Sequence, residues 1–304
     1  MAAAEGRQMC GGQRSDACHL PTGDIHRRLP TDPPSPTMPG MLDDLARHNQ
    51  QRWEALARGN VMFSRPWLDL DADTARQRLD ETGIMGDVTG KNVLCLAGGG
   101  GQQTAAFALL GAHVTVVDFC ETQLQRVRDA AEHYGHDVRI VQGDFRDLSC
   151  CDDESFDLVY HVHSLNFIPD PAPVFDEAAR VLRTGGLYRL HYTNPAHHGV
   201  DDDSWNGQGY LITQPFVDGG EVVWTDQWWM VDDGSGNRRQ IEGPREFRHS
   251  LSTVVNGLIR RGFVLLHLSE DGNGDLDAEP GTWHHYEAYC PPWLCLWAQL
   301  ARSV

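Results

Sequence analysis

The sequence predicts an α/β protein built on a doubly wound, mostly parallel sheet. Short apolar runs alternate with helical segments between residues 92 and 192, which is typical of such a sheet with helices on both faces. The first run ends in four glycines and the second ends at an aspartate. Both features are common where a sheet of this class binds a ligand. A chain of 304 residues, 40% of them hydrophobic, can bury a core without disulfides.

The elements are predicted from their hydrophobic periodicity and their stop signals. In the first part of the sheet, we predict strands at Asn92–Leu96, His113–Val117, Val138–Val141, Phe156–Tyr160 and Leu187–Tyr192. We predict helices at Gln103–Leu110, Glu121–Tyr134 and Pro173–Leu182. Further on, we predict a helix near Leu251–Arg261, a strand at Phe263–Leu268 and a final strand around His285–Cys290.

Composition divides the chain into five parts. Residues 1–40 are rich in Gly, Pro and polar residues and are expected to form a disordered extension. Residues 41–88 are expected to supply N-terminal helices that cover the site, at 42–58 and Asp71–Glu81. Residues 89–195 form the ligand-binding α/β core, and 248–304 complete it. Between them, 196–247 is an inserted β-rich cap, in which Glu221–Val231 alternates like an antiparallel strand.

Charge and composition exclude several functions. The net charge of −18 disfavours nucleic acid as a partner. Lys91 is the single lysine, and neither a P-loop nor a Schiff-base mechanism fits its position. No apolar run approaches a membrane span, so no membrane partner is expected. The eight cysteines include no C-x-x-C pair, which favours a reduced, cytoplasmic protein. We expect either a monomer or a homodimer.

Three groups of residues end predicted strands and therefore meet at one edge of the sheet. Ala97–Gly101 lets the backbone approach a ligand closely. Asp118 can accept hydrogen bonds from both hydroxyls of a ribose, and Asp144 can accept from an exocyclic amino group beside Phe145. A tight turn or a solvated acid would explain each group on its own. Together they indicate a ligand that contains adenosine.

These motifs resemble class I S-adenosylmethionine-dependent methyltransferases. Val93–Gly101 resembles their first motif, Phe156–Tyr160 their fourth-strand motif, and Arg180–Gly186 their R-V-L-R-P-G-G turn. The resemblance implies a seven-stranded Rossmann-like sheet and S-adenosylmethionine as the cofactor. It assigns the cofactor to Ala97, Gly98, Gly99, Gly101, Gln102, Asp118, Phe119, Gln123, Asp144, Phe145 and His161. Cys95 and Ala97 stand where the family has an acid and a glycine, so Gln102 and Gln103 become candidates to contact the amino-acid part.

The resemblance implies methyl transfer to a small-molecule acceptor. His161 and His163, just beyond the fourth strand, are expected to face the methyl group, where a histidine can remove a proton. The alternative is that each is a hydrogen-bonded lining residue. Trp53, Trp224 and Trp228 are candidates to contact the acceptor, although packing of the cap would also explain them. No metal is expected, because the histidines lack cysteine or carboxylate partners at ligand spacing.

Two other functions remain open at this level. A non-catalytic protein that binds S-adenosylmethionine as a sensor, or serves as a scaffold, would fit the departures at Cys95 and Ala97. An NAD(P)-dependent oxidoreductase shares the glycine turn and the strand-ending acid. Against it, the G-x-G-x-x-G/A spacing fails at Gln103 and Thr104, and the single lysine removes a Tyr-x-x-x-Lys pair.

Overall fold

In the computed structural model, the described residues are 42–224, 228–232 and 235–301. The predicted extension at 1–40 lies outside them. The main sheet has seven strands: β1 (Asn92–Leu96), β2 (His113–Asp118), β3 (Val138–Gln142), β4 (Phe156–His161), β5 (Leu182–Thr193), β12 (Phe263–Asp271) and β13 (Trp293–Leu300). Their order is β12-β13-β5-β4-β1-β2-β3. The predicted doubly wound seven-stranded fold is confirmed.

Strand direction places the ligand-binding edge. Five neighbouring strands run parallel, in the order β3, β2, β1, β4 and β5. By contrast, β13 runs antiparallel to both β5 and β12. The order reverses at β1, which lies between β2 and β4. In sheets of this class the crevice for a ligand opens at that switch point, beyond the carboxyl ends of the strands.

Helices cover both faces of the sheet. On one face lie α2 (Ala72–Leu79), α3 (Gln103–Leu109) and α4 (Glu121–Tyr134), which share a buried core with the side chains of Val93, Cys95 and Tyr160. On the other lie α5 (Ala172–Val181) and α6 (Leu251–Ile259). Because both faces are buried, the central strands are apolar along most of their length. Residues 143–155 connect β3 to β4 through turns.

The helix α1 (Asp44–Arg58) lies across the carboxyl edge of the sheet. It begins where the Asp43 side chain accepts from Ala46 N at 2.7 Å, and such a cap stabilises a helix by about 1 kcal/mol. The side chain of Asn49 is buried and donates to the carbonyls of Phe167 (3.0 Å) and Arg245 (3.2 Å). It also accepts from Arg245 N at 2.9 Å. Asn49 therefore ties the helix to the core and to the cap at once.

In the part of the cap that the structure describes, the strands form three antiparallel pairs rather than one sheet. β6 (Val200–Asp201) pairs with β7 (Leu211–Ile212), β8 (Glu221–Val222) with β11 (Glu246–Phe247), and β9 (Trp228–Asp232) with β10 (Arg238–Glu242). The predicted strand Glu221–Val231 is wrong as a single element, because β8 ends at Val222 and residues 225–227 lie outside the described part. β9 and β10 pack on α1 through Val231, Trp229 and Ile241, so the cap rests on that helix.

The predicted final strand at His285–Cys290 is wrong. That segment is the helix α7 (Trp283–Tyr289), and it ends before the pair Pro291-Pro292, which cannot continue a helix. Its aromatic residues match a strand by composition, but the inner strand is β13, whose residues are buried on both faces. In the described part of the chain, no helix is long and apolar enough to cross a membrane.

Candidate active site

A cavity of about 300 Å³ opens at the carboxyl ends of β1, β2, β4 and β5, beneath α1. That volume is at the lower end of the range for small-molecule sites. The residues that line it and that the sequence singled out are Trp53, Ala97, Gly99, Gln102, Gln103, Asp118, Phe119, Gln123, Asp144, Phe145 and His163. The cavity therefore lies where the fold predicts a ligand, and it collects most of the predicted site residues.

The glycine run packs the loop after β1 tightly against α4. A Cβ on Gly99 would lie 2.7 Å from Asp118 Oδ2 and 2.4 Å from Gln123 Cβ. Gly101 has φ +74°, and its Cβ would lie 2.6 Å from Arg126 O. Gly98 and Gly101 are not among the residues that line the cavity. Gly99 thus shapes the ligand surface, whereas Gly101 permits close packing of the loop on the helix.

Asp118 ends β2 with its carboxylate buried in the cavity wall, and the residue is 6% exposed. One oxygen accepts from Gly99 N at 3.0 Å and the other from Cys120 N at 2.8 Å. Burial raises the pKa of Asp118 to about 6, the two backbone donors oppose the rise, and the negative charge of Glu54 adds to it. A carboxylate held in this way keeps lone pairs for hydroxyl donors from a ligand.

The cavity wall beside Asp118 holds an unsatisfied polar atom. Gln123 is 7% exposed, and its Oε1 has no hydrogen-bond partner among the residues described. Buried polar atoms are almost always hydrogen-bonded, and Gln123 lines the cavity, so this oxygen is available to accept from a ligand there. Gln102 occupies the N-cap position of α3 without a side-chain cap hydrogen bond, and its amide donates to Arg65 O at 2.9 Å. The Gly99 cradle, the Asp118 carboxylate and the Gln123 amide fit the adenosine-containing cofactor that the resemblance implies.

Asp144 lines the cavity, but its carboxylate already has a charged partner. Both oxygens accept from Arg146, with Oδ2 at 3.0 Å from Nε and 2.6 Å from Nη2. Arg146 also bridges to Asp43 at 2.7 Å and so fixes the start of α1. The predicted adenine contact of Asp144 stays a prediction, and it must share this carboxylate with Arg146.

His161 does not face the cavity, which corrects the expectation that it lies against the methyl group. It is fully buried, and Nδ1 shares a 2.7 Å hydrogen bond with the Tyr188 hydroxyl. Nε2 shares a second, also 2.7 Å, with Ser164 Oγ. Burial lowers the pKa of His161 to about 3. With both nitrogens occupied inside the core, this ring positions the turn after β4 and does not fit the proton-accepting role.

His163 does line the cavity. Its Nε2 lies 3.4 Å from Thr193 Oγ1, and its Nδ1 has no hydrogen-bond partner in the described chain. Burial lowers the pKa of His163 to about 4, the Glu246 carboxylate opposes this, and His198 and His197 lower it further. The ring is therefore neutral near pH 7 and keeps one nitrogen available.

The three predicted tryptophans have different positions. Trp53 lines the cavity and packs edge-on against Phe167 (5.4 Å) and Trp229 (5.8 Å). Trp224 packs against His197 at 5.4 Å and lines a separate cleft of the cap. Trp228 is 52% exposed on β9 and is not among the residues that line the cavity. Of the three, only Trp53 lies where an acceptor in this cavity could touch it.

Sequence reasoning missed several lining residues. They are Leu45, Ala46, Asn49, Phe63, Arg78, Cys120, Arg146, Tyr160, Val162, Ser164, Phe167, Ile168 and Arg189. A signal existed for Arg189, because an arginine within the apolar run Leu187–Tyr192 is unusual for a buried strand. Within the described ranges, no group of three or more His, Cys, Asp or Glu side chains could hold a metal ion.

Comparisons with known proteins agree with this geometry. A family model described as "Methyltransferase domain" matches residues 94–190. A protein of Bacillus subtilis (strain 168) named uncharacterized methyltransferase YbaJ is 34% identical over 190 residues, which cover 62% of this chain and 71% of that protein. A demethylmenaquinone methyltransferase of Clavibacter sepedonicus is 39% identical over 111 residues, 36% of this chain and 44% of that protein.

Solved structures share the fold. A S-adenosylmethionine-dependent methyltransferase from Clostridium acetobutylicum aligns with a TM-score of 0.54 at 17% identity, over 77% of this chain and 93% of that one. Another from Mesorhizobium loti aligns with a TM-score of 0.51 at 21% identity, over 77% of this chain and all of that one. With the glycine cradle and Asp118 in the predicted places, these relationships identify the chain as a member of the class I S-adenosylmethionine-dependent methyltransferase family.

Proposed function

We propose that this methyltransferase acts on a small aromatic acceptor that carries a hydroxyl group, and that His163 accepts the hydroxyl proton. One observation carries the proposal. The cavity that contains Asp118 and Gly99 continues to His163, whose Nδ1 has no partner in the described chain. A buried ring nitrogen with nothing to bind is expected to have its partner in the ligand.

The walls near His163 suit a flat, apolar acceptor. Trp53, Phe63, Phe167, Val162 and Ile168 all line the same cavity. Aromatic rings pack edge-to-face on one another at centroid distances of about 4.5–7 Å, and the Trp53–Phe167 pair already does so at 5.4 Å. An aromatic acceptor would extend this packing and exclude water from the reacting atoms.

The names of relatives support a ring acceptor. One relative is the demethylmenaquinone methyltransferase, and another, from Hahella chejuensis, is a ubiquinone biosynthesis O-methyltransferase, 34% identical over 108 residues. The matches span 44% and 45% of these two proteins. The names refer to quinones and, in one case, to O-methylation. We therefore propose the chemical class of the acceptor, a phenol or hydroquinone. We do not propose that it is one of the quinones in these names.

Each residue then has a defined task. Asp118, Gly99 and Gln123 hold the adenosine part of S-adenosylmethionine, which supplies the activated methyl group when bound. Most of the acceleration comes from alignment of the acceptor next to the methyl group. The part of the cavity that aligns it is called the aromatic chamber, and its walls are Trp53, Phe63, Val162, Phe167 and Ile168. Neutral His163 takes the hydroxyl proton on Nδ1.

The cap supplies a carboxylate that favours the resulting cation. Glu246 is 9% exposed and accepts from Asn166 Nδ2 at 3.2 Å. His198 Nε2 lies 3.5 Å from the same oxygen. Burial raises the pKa of Glu246 to about 7, whereas a positive charge on His163 lowers it. When His163 carries the proton, its positive charge favours the ionised carboxylate of Glu246. That carboxylate in turn stabilises protonated His163, so the pair favours removal of the hydroxyl proton.

The proposal is tested with purified protein, S-adenosylmethionine and a panel of catechols, hydroquinones, aromatic amines and aliphatic alcohols. The readout is formation of S-adenosylhomocysteine. The account predicts turnover on phenolic members, and His163→Asn should lower kcat by roughly 10²- to 10⁴-fold with an unchanged Kd for S-adenosylmethionine. The matched control is His113→Asn, at the exposed amino end of β2. Turnover confined to amines or alcohols, or an active His163→Asn variant, would refute the proposal.

A further inference from the structure

Arg189 is a charged residue in an otherwise uncharged row of the sheet. In register across four strands lie Cys95 of β1, Tyr160 of β4, Arg189 of β5 and Trp297 of β13. Cys95, Tyr160 and Trp297 are buried in one core cluster. Arg189 lines the cavity together with Tyr160. One guanidinium therefore lies between the buried core and the cavity, at the part of the cavity wall that Tyr160 and Arg189 form and that we call its floor.

The surroundings of Arg189 do not neutralise its charge. The guanidinium lies 4.5 Å from the centre of the Tyr160 ring, and its Nε is buried without a hydrogen-bond partner among the described residues. Burial raises the pKa of Tyr160 to about 12 and also raises the pKa of the Cys295 thiol, so both groups stay uncharged. The charge of Arg189 opposes both rises, and the guanidinium also shares a side-chain hydrogen bond with the neutral Cys295 thiol. Burial also lowers the pKa of His191, and the charge of Arg189 adds to this effect.

No carboxylate forms an ion pair with Arg189 in the ranges that the structure describes. Arg126 and Arg248 there also lack a carboxylate, but they donate to backbone carbonyl oxygens instead, whereas two other arginines have carboxylate partners. Arg146 pairs with Asp43 and Asp144, and Arg261 pairs with Asp176. A partly buried guanidinium without an anion is costly. Its planar donor fork matches a carboxylate in two-point geometry. The missing partner is therefore expected to enter from the cavity.

We infer that Arg189 is the carboxylate-binding residue at the floor of this cavity. Arg78 and Gln103 line the same cavity. Gln103 adds an amide donor, and Arg78 adds a second cation, although it already pairs with Asp69 at 3.5 Å. Two molecules that enter the cavity can supply a carboxylate: the methionine part of the cofactor, or an acceptor that carries an acid group. The inference rests on the cofactor class and not on the proposed proton transfer to His163, so either can fail alone.

The first experiment measures binding rather than turnover. Calorimetric titration compares S-adenosylmethionine, decarboxylated S-adenosylmethionine and 5′-methylthioadenosine, the last of which lacks the amino-acid part. Each is titrated into the wild type, Arg189→Gln and Arg189→Lys. The matched control is Arg183→Gln, at the amino end of the same strand, where the guanidinium pairs with Asp157 at 2.7 Å. Thermal unfolding of each variant confirms that it is folded.

The cofactor arm has a specific expected result. Arg189→Gln should weaken S-adenosylmethionine binding by about tenfold to a hundredfold and leave the Kd for 5′-methylthioadenosine within about twofold. Arg189→Lys should recover part of the loss, because it restores the charge without the two-point geometry. Decarboxylated S-adenosylmethionine should bind the wild type and Arg189→Gln equally.

The acceptor arm separates the second source. If the Kd for S-adenosylmethionine is unchanged in Arg189→Gln, 4-hydroxybenzoate and 4-hydroxybenzamide are titrated in the presence of S-adenosylhomocysteine. Loss of binding for the benzoate alone would assign the carboxylate to the acceptor and keep the inference. The inference is wrong if Arg189→Gln raises the Kd of neither S-adenosylmethionine nor 4-hydroxybenzoate. It is also wrong if the Kd of 5′-methylthioadenosine rises as much as that of S-adenosylmethionine.

Discussion

Replacement of Asp118 by asparagine should separate cofactor binding from folding. The aspartate is 6% exposed, and its carboxylate accepts two backbone hydrogen bonds. An amide keeps the shape but presents an NH₂ group to one of those N–H donors. The variant loses the charge, one backbone hydrogen bond and one acceptor for a ribose hydroxyl.

The two effects on stability nearly cancel. Burial raises the pKa of Asp118 from 3.8 to about 6, which corresponds to roughly 3 kcal/mol of charge burial at pH 8. The asparagine side chain avoids this cost but leaves an N–H unsatisfied, at about 1–3 kcal/mol. Because the folded-state pKa is raised, the wild type gains stability as the pH falls. The gain from this group between pH 8 and pH 5 is about 1.4 kcal/mol, and Asp118→Asn should lack it.

Binding of the cofactor has no such compensation. The variant loses one ribose hydrogen bond, and the acceptor of the other loses its charge, which together cost roughly 3 kcal/mol, or about a hundredfold in Kd. The assay is calorimetric titration with S-adenosylmethionine at pH 8, beside urea unfolding at pH 5 and pH 8. A variant that binds within about threefold of the wild type would refute the role of Asp118. A variant that is unfolded at pH 8 would instead refute the near-cancellation of the two effects on stability.

Three further predictions follow from the same geometry. The Kd for S-adenosylmethionine should rise about tenfold from pH 8 to pH 5, because protonation of Asp118 removes the acceptor; calorimetry would show no change if another group held the ribose. Asn49→Ala should lower the free energy of unfolding by about 2–3 kcal/mol, since it removes one buried and two partly buried hydrogen bonds. A change below about 0.5 kcal/mol in urea titration, on the order of a surface substitution, would contradict the docking of α1. Gly101→Ala should destabilise by clearly more than Gly135→Ala, whose cost is about 1 kcal/mol. Both glycines have positive φ, but only at Gly101 does a Cβ clash, at 2.6 Å from a backbone oxygen, and equal losses in thermal unfolding would remove that argument.

Periodicity predicted the parts of the fold that have a local cause. The bounds of β1 agree with the sequence because it is a short, continuous buried run that ends at the glycines, and those of α4 agree because its buried residues recur at helical spacing. The seven-stranded sheet follows from the resemblance, and the cavity lies at the predicted edge. The error at α7 has a different origin. An aromatic segment before two prolines is ambiguous between helix and strand until its packing partner is known, and Tyr286 finds that partner in His197, at 2.7 Å.

The candidate site was predictable only where chain neighbours determine it. Gly99 and Asp118 line the cavity because the turns after β1 and β2 put them there. The hydrogen bonds of His161 depend on Tyr188, 27 residues later, and Arg146 joins Asp144 to Asp43, which lies 103 residues before that arginine. Asn49 acts through long-range packing in the same way. No spacing rule reveals such partners in a single sequence.

The central claim is that one cavity holds S-adenosylmethionine against Asp118 and an acceptor against His163. A crystal structure with S-adenosylhomocysteine tests it most directly. The account predicts the ribose hydroxyls within hydrogen-bond distance of the Asp118 carboxylate, and the sulfur directed toward the aromatic chamber that His163 lines. A ligand bound elsewhere, or a sulfur separated from His163 by a closed wall of the cavity, would contradict it.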